Sequence, residues 1–349
     1  MPALAVLDAV REIEPKGLEV RFFGPSNRGE REIVEARGLR FVTVPAAGLR
    51  GKGPVAIMRG LATLGWGVLV GMWRIGGFRP DVVFSTGGYA SFPCSVAARL
   101  LRRPLVIYLP DVEPGWAVRA EKRLATRIAT TTERGKRALP AEKTTVTGYP
   151  VRAEFFELTR GEARARLVIE EGEKVLLVAG ASQGARAINR AIFTNLRELC
   201  EAARVFHITG AADLAEALRL KATLEPELSS RYAPAAYRED MPAVMTVADL
   251  AIARAGASVL GELPAASLPA ILVPGTFAGG HQRDNAAWLR DTGAAEVIEE
   301  GQIHTLAEQA RTLLTDTARL DQMQAAAAVL ARPSAAADIA RLVLEVAGR

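Results

Sequence analysis

The sequence is poor in residues that carry covalent or metal chemistry. It has only two cysteines, Cys94 and Cys200, which lie far apart in its 349 residues. We therefore expect no disulfide framework, and a reducing cytoplasm fits this composition. The three histidines (His207, His281 and His304) are not spaced like metal ligands, and no Asp-x-Asp motif occurs. These absences predict a protein that uses no metal ion and no other cofactor.

Long single-sign charge runs and long apolar runs are also missing. No block of lysine and arginine and no interleaved aromatic motif is present, so we expect no nucleic acid partner. The net charge of +5 suits an anionic ligand or an anionic membrane surface. Residues 1–4 lack the basic and apolar regions of a signal peptide, and we expect none. The most apolar segment, residues 60–73, is bounded by arginines and is too short to span a bilayer.

Apolar, strand-like runs alternate with helical patterns along the whole chain. Because continuous apolar strands separated by helices form parallel sheets covered on both faces, two such series predict an α/β protein with two doubly wound domains. The predicted strands are 18–23, 41–44, 81–85, 105–107 and 128–131 in the first half, and 174–179, 203–208, 248–253, 270–273 and 294–298 in the second. The predicted helices of the first half are 30–36, 55–75, 91–101 and 117–125.

A change of composition near residues 150–172 predicts the domain boundary. A charged helix (160–166) follows Tyr149-Pro150 there, and alanine-rich helices end the chain. We predict a first domain over 1–153, a second over 154–325, and C-terminal helices over 326–349 that pack back toward the first domain. Ligands of open α/β sheets bind at the carboxyl ends of the strands, where we expect the chemistry.

The segment Gly180-Ala-Ser-Gln-Gly-Ala-Arg186 follows a predicted strand and opens a helix. It is neither a G-x-G-x-x-G motif nor a Walker A loop. Its small residues, the Ser182 hydroxyl and the amides of the helix start are typical of an anion site. A plain turn between a strand and a helix remains the alternative for this loop taken alone.

Two further loops have the same character. Residues 249–262 run from a strand through Gly256 into a helix that carries Glu262, whose carboxylate could accept hydrogen bonds from ribose hydroxyls. The alternative is an ordinary surface glutamate. The glycine-rich turn 274–285 delivers His281, Gln282 and Asn285 to a helix start. Three small, polar loops at consecutive strand ends predict one shared nucleotide site.

Together these loops resemble one family closely. Gly-Ala-Ser-Gln-Gly-Ala-Arg, Ala-Asp-Leu-Ala-Ile-Ala-Arg-Ala-Gly-Ala-Ser and His-Gln-x-x-Asn-Ala are similar to the signature of the MurG N-acetylglucosaminyltransferases. In the first half, residues 82–93 resemble the acceptor-side loop Gly-Gly-Tyr-x-Ser-x-Pro of that family. Residues 148–152 resemble its Gly-Asn-Pro-Val-Arg motif. The resemblance covers nearly the whole chain.

The resemblance implies a GT-B fold, in which two Rossmann-like domains face each other across a cleft. It also implies an inverting transfer of N-acetylglucosamine from UDP-N-acetylglucosamine (UDP-GlcNAc) to undecaprenyl-pyrophosphoryl-MurNAc-pentapeptide (lipid I), which gives lipid II for peptidoglycan. Two alternatives stay open. One is a related UDP-sugar transferase with a diacylglycerol acceptor, and the other is a UDP-sugar-binding protein with weak catalysis.

The resemblance also assigns residues. Ser182 is expected to contact the diphosphate, Glu262 the ribose, and Arg152 and Gln282 the nucleotide sugar, while the backbone at Arg238 binds uracil. The predicted donor-binding residues are Arg152, Ser182, Gln183, Gly184, Arg238, Ala257, Ser258, Val259, Leu260, Gly261, Glu262 and Gln282. The predicted acceptor-side residues are Gly87, Gly88, Tyr89 and Asp111.

Two departures from the family pattern stand out. Where the family has His-Glu-Gln-Asn, this chain has Tyr108-Leu-Pro-Asp111. The resemblance puts Asp111 where the asparagine contacts the sugar or acceptor, and Asp111 is also the candidate catalytic group, as a substitute for the histidine of a family loop that this sequence does not show. The family also has a strand and a Gly-Gly-Thr-Gly-Gly-His loop just before its Pro-Ala-Leu-Ala, whereas the given sequence has Met1 there. We therefore expect unpaired strand edges beside residues 18–23 and 81–85, with UDP-GlcNAc binding but poor turnover.

The apolar helix predicted in the first half of the chain indicates where the protein is located in the cell, namely at a membrane surface. Trp66, Leu69, Val70 and Trp73 fall on one helix face, and five arginines and lysines lie nearby (Arg50, Lys52, Arg59, Arg74 and Arg79). Apolar insertion combined with basic charge is the pattern of interfacial binding to anionic lipid. We expect peripheral attachment at the cytoplasmic face of the bacterial plasma membrane, with a buried core helix as the alternative.

Overall fold

The structure, a computed structural model, describes residues 2–26, 30–48, 53–180, 185–275 and 280–349, apart from the side chain of Trp116. The chain divides into two compact units. Unit 1 comprises residues 1–150 and 334–349, and unit 2 comprises residues 151–333. The second boundary lies later than the predicted residue 325, because the helix over 317–329 packs into the core of unit 2 through Leu320 and Met323.

Unit 1 is an α/β unit whose strands are all parallel. Its elements, in chain order, are α1 (Pro2–Ile13), β1 (Arg21–Gly24), α2 (Glu30–Ala36), β2 (Arg40–Thr43), α3 (Pro54–Phe78), β3 (Val83–Ser85), α4 (Phe92–Leu100), β4 (Leu105–Leu109), α5 (Trp116–Glu121), β5 (Arg127–Thr130), α6 (Glu133–Arg137), a 3-10 turn (Ala141–Lys143) and β6 (Thr144–Val146). The last helix of the chain, 335–347, also belongs to it.

The sheet of unit 1 is interrupted. Strands β1 and β2 form one two-stranded sheet, and β3, β4, β5 and β6 form a separate four-stranded sheet in that order. Within the described part of unit 1, the end strands of the two sheets, β1, β2, β3 and β6, each have one edge that pairs with no strand. The two strands that the sequence predicted to have an unpaired edge, β1 and β3, are among them. The short strand β6 was not predicted.

The two faces of the interrupted sheet are covered by different helices. On one face, Val6 and Val10 of α1 pack with Val106 and Tyr108 of β4 and with the final helix of the chain. On the other face, Cys94 and Ala97 of α4 pack with α3. In β4, Val106 and Tyr108 enter one core, and Leu105, Ile107 and Leu109 enter another, as expected for a parallel sheet.

Helix α3 has a packed face and an exposed face. Gly60, Leu64, Gly67, Gly71 and Ile75 are buried at helical spacing. A Cβ atom at Gly67 would lie 2.0 Å from the carbonyl oxygen of Pro45, so only glycine allows this approach. With 25 residues, α3 is longer than the predicted apolar segment. Among the described helices, it is the one whose length and composition would allow it to cross a membrane, although a helix of a soluble protein can meet the same criterion.

Unit 2 is a second, uninterrupted α/β unit. Its six parallel strands lie in the order β12-β11-β10-β7-β8-β9. The elements are α7 (Glu154–Glu157), α8 (Arg160–Leu167), β7 (Val175–Ala179), α9 (Arg186–Thr194), α10 (Leu196–Ala202), β8 (Arg204–Ile208), α11 (Leu214–Thr223), α12 (Pro226–Arg231), β9 (Tyr232–Ala235), α13 (Met241–Val247), β10 (Leu250–Ala253), α14 (Val259–Ala265), β11 (Ala270–Leu272), α15 (His281–Asp291), β12 (Ala295–Val297), a 3-10 turn (Glu300–Thr305), α16 (Leu306–Thr315) and α17 (Thr317–Val329).

All ten predicted strands are present, each displaced by no more than a few residues. The prediction of two doubly wound, Rossmann-like α/β domains is confirmed. The sequence analysis did not predict strand β9, because the strand contains Pro234 and proline usually interrupts a strand. The strand lies at the edge of the sheet, and an edge strand tolerates a proline. The final helix, α18 (Ala335–Ala347), packs in unit 1 through Ile339 and Ala340.

Candidate active site

Three strands of unit 2 end side by side, and each of the three predicted loops follows one of them. In the pairing register Ala253 of β10 lies beside Ala179 of β7 and also beside Leu272 of β11. The chain runs from β7 to β8 on one side of the sheet and reaches β10 on the other side. The carboxyl ends of β7 and β10 therefore form the topological switch point, where doubly wound sheets bind their ligands.

The described residues on either side of the segment after β7, Gly180 and Ala185, lie close together. A Cβ atom at Gly180 would lie 2.5 Å from both the backbone nitrogen and the Cβ atom of Ala185, so this close approach requires glycine. Helix α9 begins directly afterwards, at Arg186. The predicted donor-binding residues Ser182, Gln183 and Gly184 lie outside the described residues.

The loop after β10 leads into the short helix α14. Ala257 and Ser258 are half-buried at its start, whereas Val259, Leu260 and Gly261 are buried within it. These three predicted residues can therefore face a ligand only through their backbone. Glu262 lies one helical turn after Ser258 and is half-buried.

The surroundings of Glu262 have opposing effects on the pKa of its carboxyl. Burial raises the pKa of this carboxyl above its ordinary value, whereas a hydrogen bond with Ser258 and the nearby Arg152 guanidinium lower it. Burial is the larger effect. The structure therefore brings together three of the predicted donor-binding residues, Glu262, Ser258 and Arg152.

The loop after β11 is tied to its neighbours by side chains of α15. The backbone N–H of Gly275 donates to the side-chain oxygen of Gln282 at 2.7 Å. The Asn285 side chain is buried and donates to the carbonyl of Ala255 at 3.1 Å. From the other side, Arg254 donates to the Val273 carbonyl at 3.2 Å. These bonds fix the β10 and β11 loops against each other.

The two predicted arginines are already engaged. Arg152 donates to the Glu239 carbonyl at 3.0 Å, and its side chain remains largely exposed. Arg238 makes two hydrogen bonds with the Asp240 carboxylate, at 2.8 and 2.6 Å, and lies over the Phe206 ring. These contacts occupy the side chain of Arg238, and contact of its backbone with uracil stays a prediction.

The predicted acceptor-side residues lie on one edge of unit 1. Gly87 and Gly88 follow β3 with positive φ angles of 73° and 97°. A Cβ atom at Gly87 would lie 2.8 Å from a methyl carbon of Val118, so glycine is required there. Asp111 follows β4, and Tyr89 lies beyond the glycines. Because β3 and β4 are parallel neighbours, both segments leave the same edge.

His207 has a structural role in the middle of unit 2. It is fully buried on β8, with one ring nitrogen 2.9 Å from the Tyr232 hydroxyl and the other 3.1 Å from the Asn189 side-chain oxygen. Asn189 belongs to α9, the helix that follows the β7 loop. Burial lowers the pKa of His207 to about 3, so the ring is neutral at pH 7.

Comparison with protein families gives a match to both units. The glycosyltransferase family 28 N-terminal domain matches residues 1–130, and the glycosyltransferase family 28 C-terminal domain matches residues 175–340. Relatives named UDP-N-acetylglucosamine–N-acetylmuramyl-(pentapeptide) pyrophosphoryl-undecaprenol N-acetylglucosamine transferase are similar over most of the chain. The protein from Solidesulfovibrio magneticus is 38% identical and the match covers 99% of this chain and 94% of the relative. The protein from Roseiflexus sp. is 36% identical, with coverage of 89% and 80%.

The chain belongs to the MurG family of glycosyltransferases. Among solved structures, MurG of Acinetobacter baumannii has a TM-score of 0.73 at 22% identity, covering 99% of this chain and 95% of that one. The glycosyltransferase SnogD of Streptomyces nogalater has a TM-score of 0.67 at 20% identity, covering 100% and 96%. At these identities, the similarity to the two solved structures shows a shared fold and nothing further.

Sequence reasoning named several residues of the site but missed some of their contacts. The pairing of Arg238 with Asp240 could have been suggested by their separation of two residues. The contact between Arg152 and the carbonyl of Glu239 joins segments 87 residues apart and left no sequence signal. The same holds for Asn285 and Ala255, whose role is to hold two family motifs together.

Proposed function

We propose that this protein transfers N-acetylglucosamine from UDP-GlcNAc to lipid I. The relatives named above are transferases with these substrates in their names, and the chain spans at least 80% of their length. The observation that carries the proposal is the register of β7, β10 and β11, which brings three family motifs to one switch point.

The donor would be held by unit 2. Glu262 would accept hydrogen bonds from the ribose hydroxyls, and the backbone N–H groups at the start of α14 would face the diphosphate. The Arg152 guanidinium is well placed for the charge on the leaving UDP, since it is largely exposed and already within electrostatic reach of Glu262. Such fixed positive groups stabilise developing negative charge.

The acceptor would meet the edge of unit 1 that carries Gly87, Gly88, Tyr89 and Asp111. In the reaction the acceptor hydroxyl attacks the anomeric carbon, the bond from that carbon to the diphosphate oxygen breaks, and UDP leaves with the electron pair. We assign the hydroxyl proton to the Asp111 carboxylate, which follows β4 at this edge. A positioned general base contributes roughly 10²–10⁴ to such a rate.

A membrane surface is the proposed location, through the exposed face of α3. Val55, Met58, Leu61, Trp66, Leu69 and Trp73 are all exposed and recur every three to five residues. The opposite face is packed against α4 through glycines. An amphipathic arrangement of this kind favours a helix that lies on the membrane rather than one that crosses it. Val70 was predicted on the exposed face but is partly buried and packs against the core cluster that contains Val44, Ile75 and Cys94.

The test is a transferase assay with UDP-GlcNAc and a lipid I analogue. We expect slow GlcNAc transfer to the analogue, no transfer to diacylglycerol, and an unchanged rate in EDTA. The Asp111→Asn variant should lose most of the rate, whereas Glu113→Gln, two residues away in the same loop, should keep it. Transfer to diacylglycerol would support the alternative acceptor. UDP binding without transfer to either acceptor would favour a UDP-sugar-binding protein.

A further inference from the structure

Two buried hydroxyl groups meet near the carboxyl ends of β4 and β5 in unit 1. The Tyr108 hydroxyl lies 2.8 Å from the hydroxyl oxygen of Thr131, and both side chains are buried. Tyr108 belongs to β4, and Thr131 directly follows the neighbouring strand β5. Neither residue is among the predicted acceptor-side residues, and the reaction proposed above gives neither of them a role.

The acceptors around this pair fix the direction of its hydrogen bonds. The Thr131 hydroxyl lies 2.8 Å from the Pro110 carbonyl oxygen and 3.2 Å from that of Leu109. Because the Leu109 carbonyl already accepts from the backbone N–H of Thr131, the single hydroxyl proton of Thr131 is best donated to Pro110. Tyr108 then donates to Thr131, since its other acceptor, the Gly148 carbonyl, is farther away at 3.3 Å. Burial raises the pKa of Tyr108 well above its ordinary value, so its hydroxyl stays a donor.

The Pro110 carbonyl belongs to the peptide unit that directly precedes Asp111. Strand β4 ends at Leu109, so this carbonyl lies beyond the strand pairing and takes its partner from a side chain. Because a peptide unit is planar, a bond to its oxygen also fixes the direction of the Asp111 N–H and the position of its Cα atom. The Asp111 carboxylate is within electrostatic reach of the Tyr108 hydroxyl, so the pair and the aspartate lie in one place.

The far end of the same loop is held by arginines. Arg119 donates to the Pro114 carbonyl at 2.9 Å, and Arg134 donates to the Glu113 carboxylate at 3.3 Å. Both arginines are exposed, so water and salt compete with these bonds. The bonds of the hydroxyl pair are shielded from water by burial, which strengthens them.

We infer that the hydroxyl pair of Tyr108 and Thr131 is a positioning device for Asp111. This inference rests on the proposed function, in which the Asp111 carboxylate takes the proton of the acceptor hydroxyl. A base acts efficiently only when it is held in the right place, and the pair holds the peptide unit from which Asp111 extends. Both are positioning residues, because they act on the reaction through Asp111.

Four variants of the full chain test this inference. Thr131→Val keeps the shape of the side chain and removes the hydroxyl, whereas Thr131→Ser keeps the hydroxyl. Tyr108→Phe removes only the donor to Thr131. Thr144→Val is the matched control, because the Thr144 hydroxyl is also buried and also donates to a proline carbonyl, that of Pro140 at 2.6 Å. Thr144 lies at the amino end of β6, away from the edge that carries Asp111.

Each variant is assayed for transfer from UDP-GlcNAc to the lipid I analogue. We expect Thr131→Val to lower kcat by roughly 10-fold or more, since small displacements of a catalytic group are costly in rate, and to leave KM for UDP-GlcNAc unchanged. Tyr108→Phe should lower kcat less, because Thr131 can still donate. Thr131→Ser should keep most of the rate that Thr131→Val loses. In the Asp111→Asn background, Thr131→Val should cause little further loss, since both changes act on one group.

Three kinetic results would overturn the inference. An equal loss of kcat in Thr144→Val would mean that the hydroxyls serve only the stability of unit 1. A full further loss in the Asp111→Asn background would mean that the pair does not act through Asp111. An unchanged kcat in Tyr108→Phe would remove that hydroxyl from the device.

Amide hydrogen exchange of the free protein gives a readout that does not depend on transfer. Thr131→Val should speed exchange at Asp111 and Val112, whereas Thr144→Val should not. Unchanged exchange in Thr131→Val would mean that the pair does not hold this peptide unit. If the unchanged chain transfers nothing to the analogue, the proposed function fails, and exchange alone decides whether the pair anchors the loop.

Discussion

The side-chain oxygen of Gln282 accepts a hydrogen bond from the backbone N–H of Gly275 at 2.7 Å. This bond joins the first turn of α15 to the loop after β11. Because the oxygen is occupied, the side-chain amide nitrogen is the group left to donate to a ligand at the switch point. Gln282 therefore both shapes the loop and offers a donor in a fixed direction.

A Gln282→Glu variant separates these two roles. Glutamate can still accept from Gly275, but it cannot donate, and its charge repels a nucleotide diphosphate. We expect kcat/KM for UDP-GlcNAc to fall by roughly 10- to 100-fold, the effect of losing a hydrogen bond to a charged group. The midpoint of thermal unfolding should stay nearly unchanged. Gln302→Glu, at an exposed glutamine of unit 2, is the matched control for the added charge. A similar loss in that variant would show that general repulsion is responsible.

Glu262 offers a prediction with a pH dependence. Burial raises the pKa of its carboxyl, so the ionised form that accepts from ribose is lost on acidification sooner than at an ordinary glutamate. UDP affinity should therefore weaken as the pH falls through this raised pKa. Glu262→Gln should weaken UDP binding at neutral pH by about 10-fold or more and remove most of the pH dependence.

The ribose assignment is tested with a second ligand. Calorimetry with UDP and with a ribose-free diphosphate should show that Glu262→Ala weakens the first and hardly affects the second. Equal losses for both ligands would mean that the carboxylate acts on the loop or the diphosphate rather than on ribose.

Much of unit 2 could be predicted from its sequence, and the reasons are physical. Strands such as β7 and β8 are buried on both faces, so they appear as uninterrupted apolar runs. The glycine-rich loops directly follow those runs. By contrast, the bonds from Arg152 to Glu239 and from Asn285 to Ala255 join segments that are distant in the chain, and local patterns carry no trace of them.

Unit 1 was harder to predict in detail. Helix α1 was not recognised as a helix, although it joins the core of unit 1 through Val6 and Val10. The packed face of α3 was also missed, because its glycines read as breaks in an apolar run. Those glycines allow close contact with Pro45 and with α4, which only a three-dimensional arrangement can show.

The exposed face of α3 predicts binding to anionic membranes. Trp66 and Trp73 are 60% and 69% exposed, and Arg74 lies over the Trp73 ring at 4.3 Å. The protein should float with vesicles that contain anionic phospholipid and only weakly with neutral vesicles. Arg50 and Lys52, which were predicted to add to this basic surface, lie outside the described residues.

The variant that tests this surface replaces Leu61, Trp66 and Trp73 with glutamine. We expect it to lose flotation while its fold is kept, since the three side chains are exposed. Leu218→Gln combined with Val329→Gln removes exposed apolar side chains from unit 2 and should leave flotation intact. Flotation that does not depend on lipid charge, or that survives the triple substitution, would contradict the prediction.

His207 predicts sensitivity of unit 2 to acid. Its folded-state pKa is about 3, against an ordinary value of 6.5, because burial disfavours the charged ring. A histidine with a lowered pKa stabilises the fold above its unfolded pKa, and that contribution is lost as the pH falls from 6.5 toward 3. It amounts to at most roughly 5 kcal/mol. Urea unfolding at pH 7 and pH 4 should show a smaller loss of stability in His207→Gln than in the unchanged chain. A loss of equal size would place the acid sensitivity at other groups.

Glu121 predicts that the stability of unit 1 falls as the pH rises, which is opposite to the effect predicted for His207. Its side chain is fully buried near the acceptor-side loop, and burial raises the pKa of its carboxyl from 4.5 to about 7. The neighbouring Ser91 and Ser95 hydroxyls lower that pKa only partly, and both donate to backbone carbonyls, of Gly88 and Ser91 respectively. The neutral acid is therefore the form that suits this site.

A carboxyl with a raised pKa stabilises the fold fully below its unfolded value, and that stability is lost as the pH rises from about 4.5 through about 7. The loss is at most roughly 3 kcal/mol. Glu121→Gln keeps a neutral side chain of the same size, so urea unfolding at pH 5 and pH 8 should show a weaker decline with pH than in the unchanged chain. Glu142→Gln, at an exposed glutamate of the same unit, should leave the decline as it is. If Glu121→Gln declines as steeply as the unchanged chain, this carboxyl is not the group that titrates.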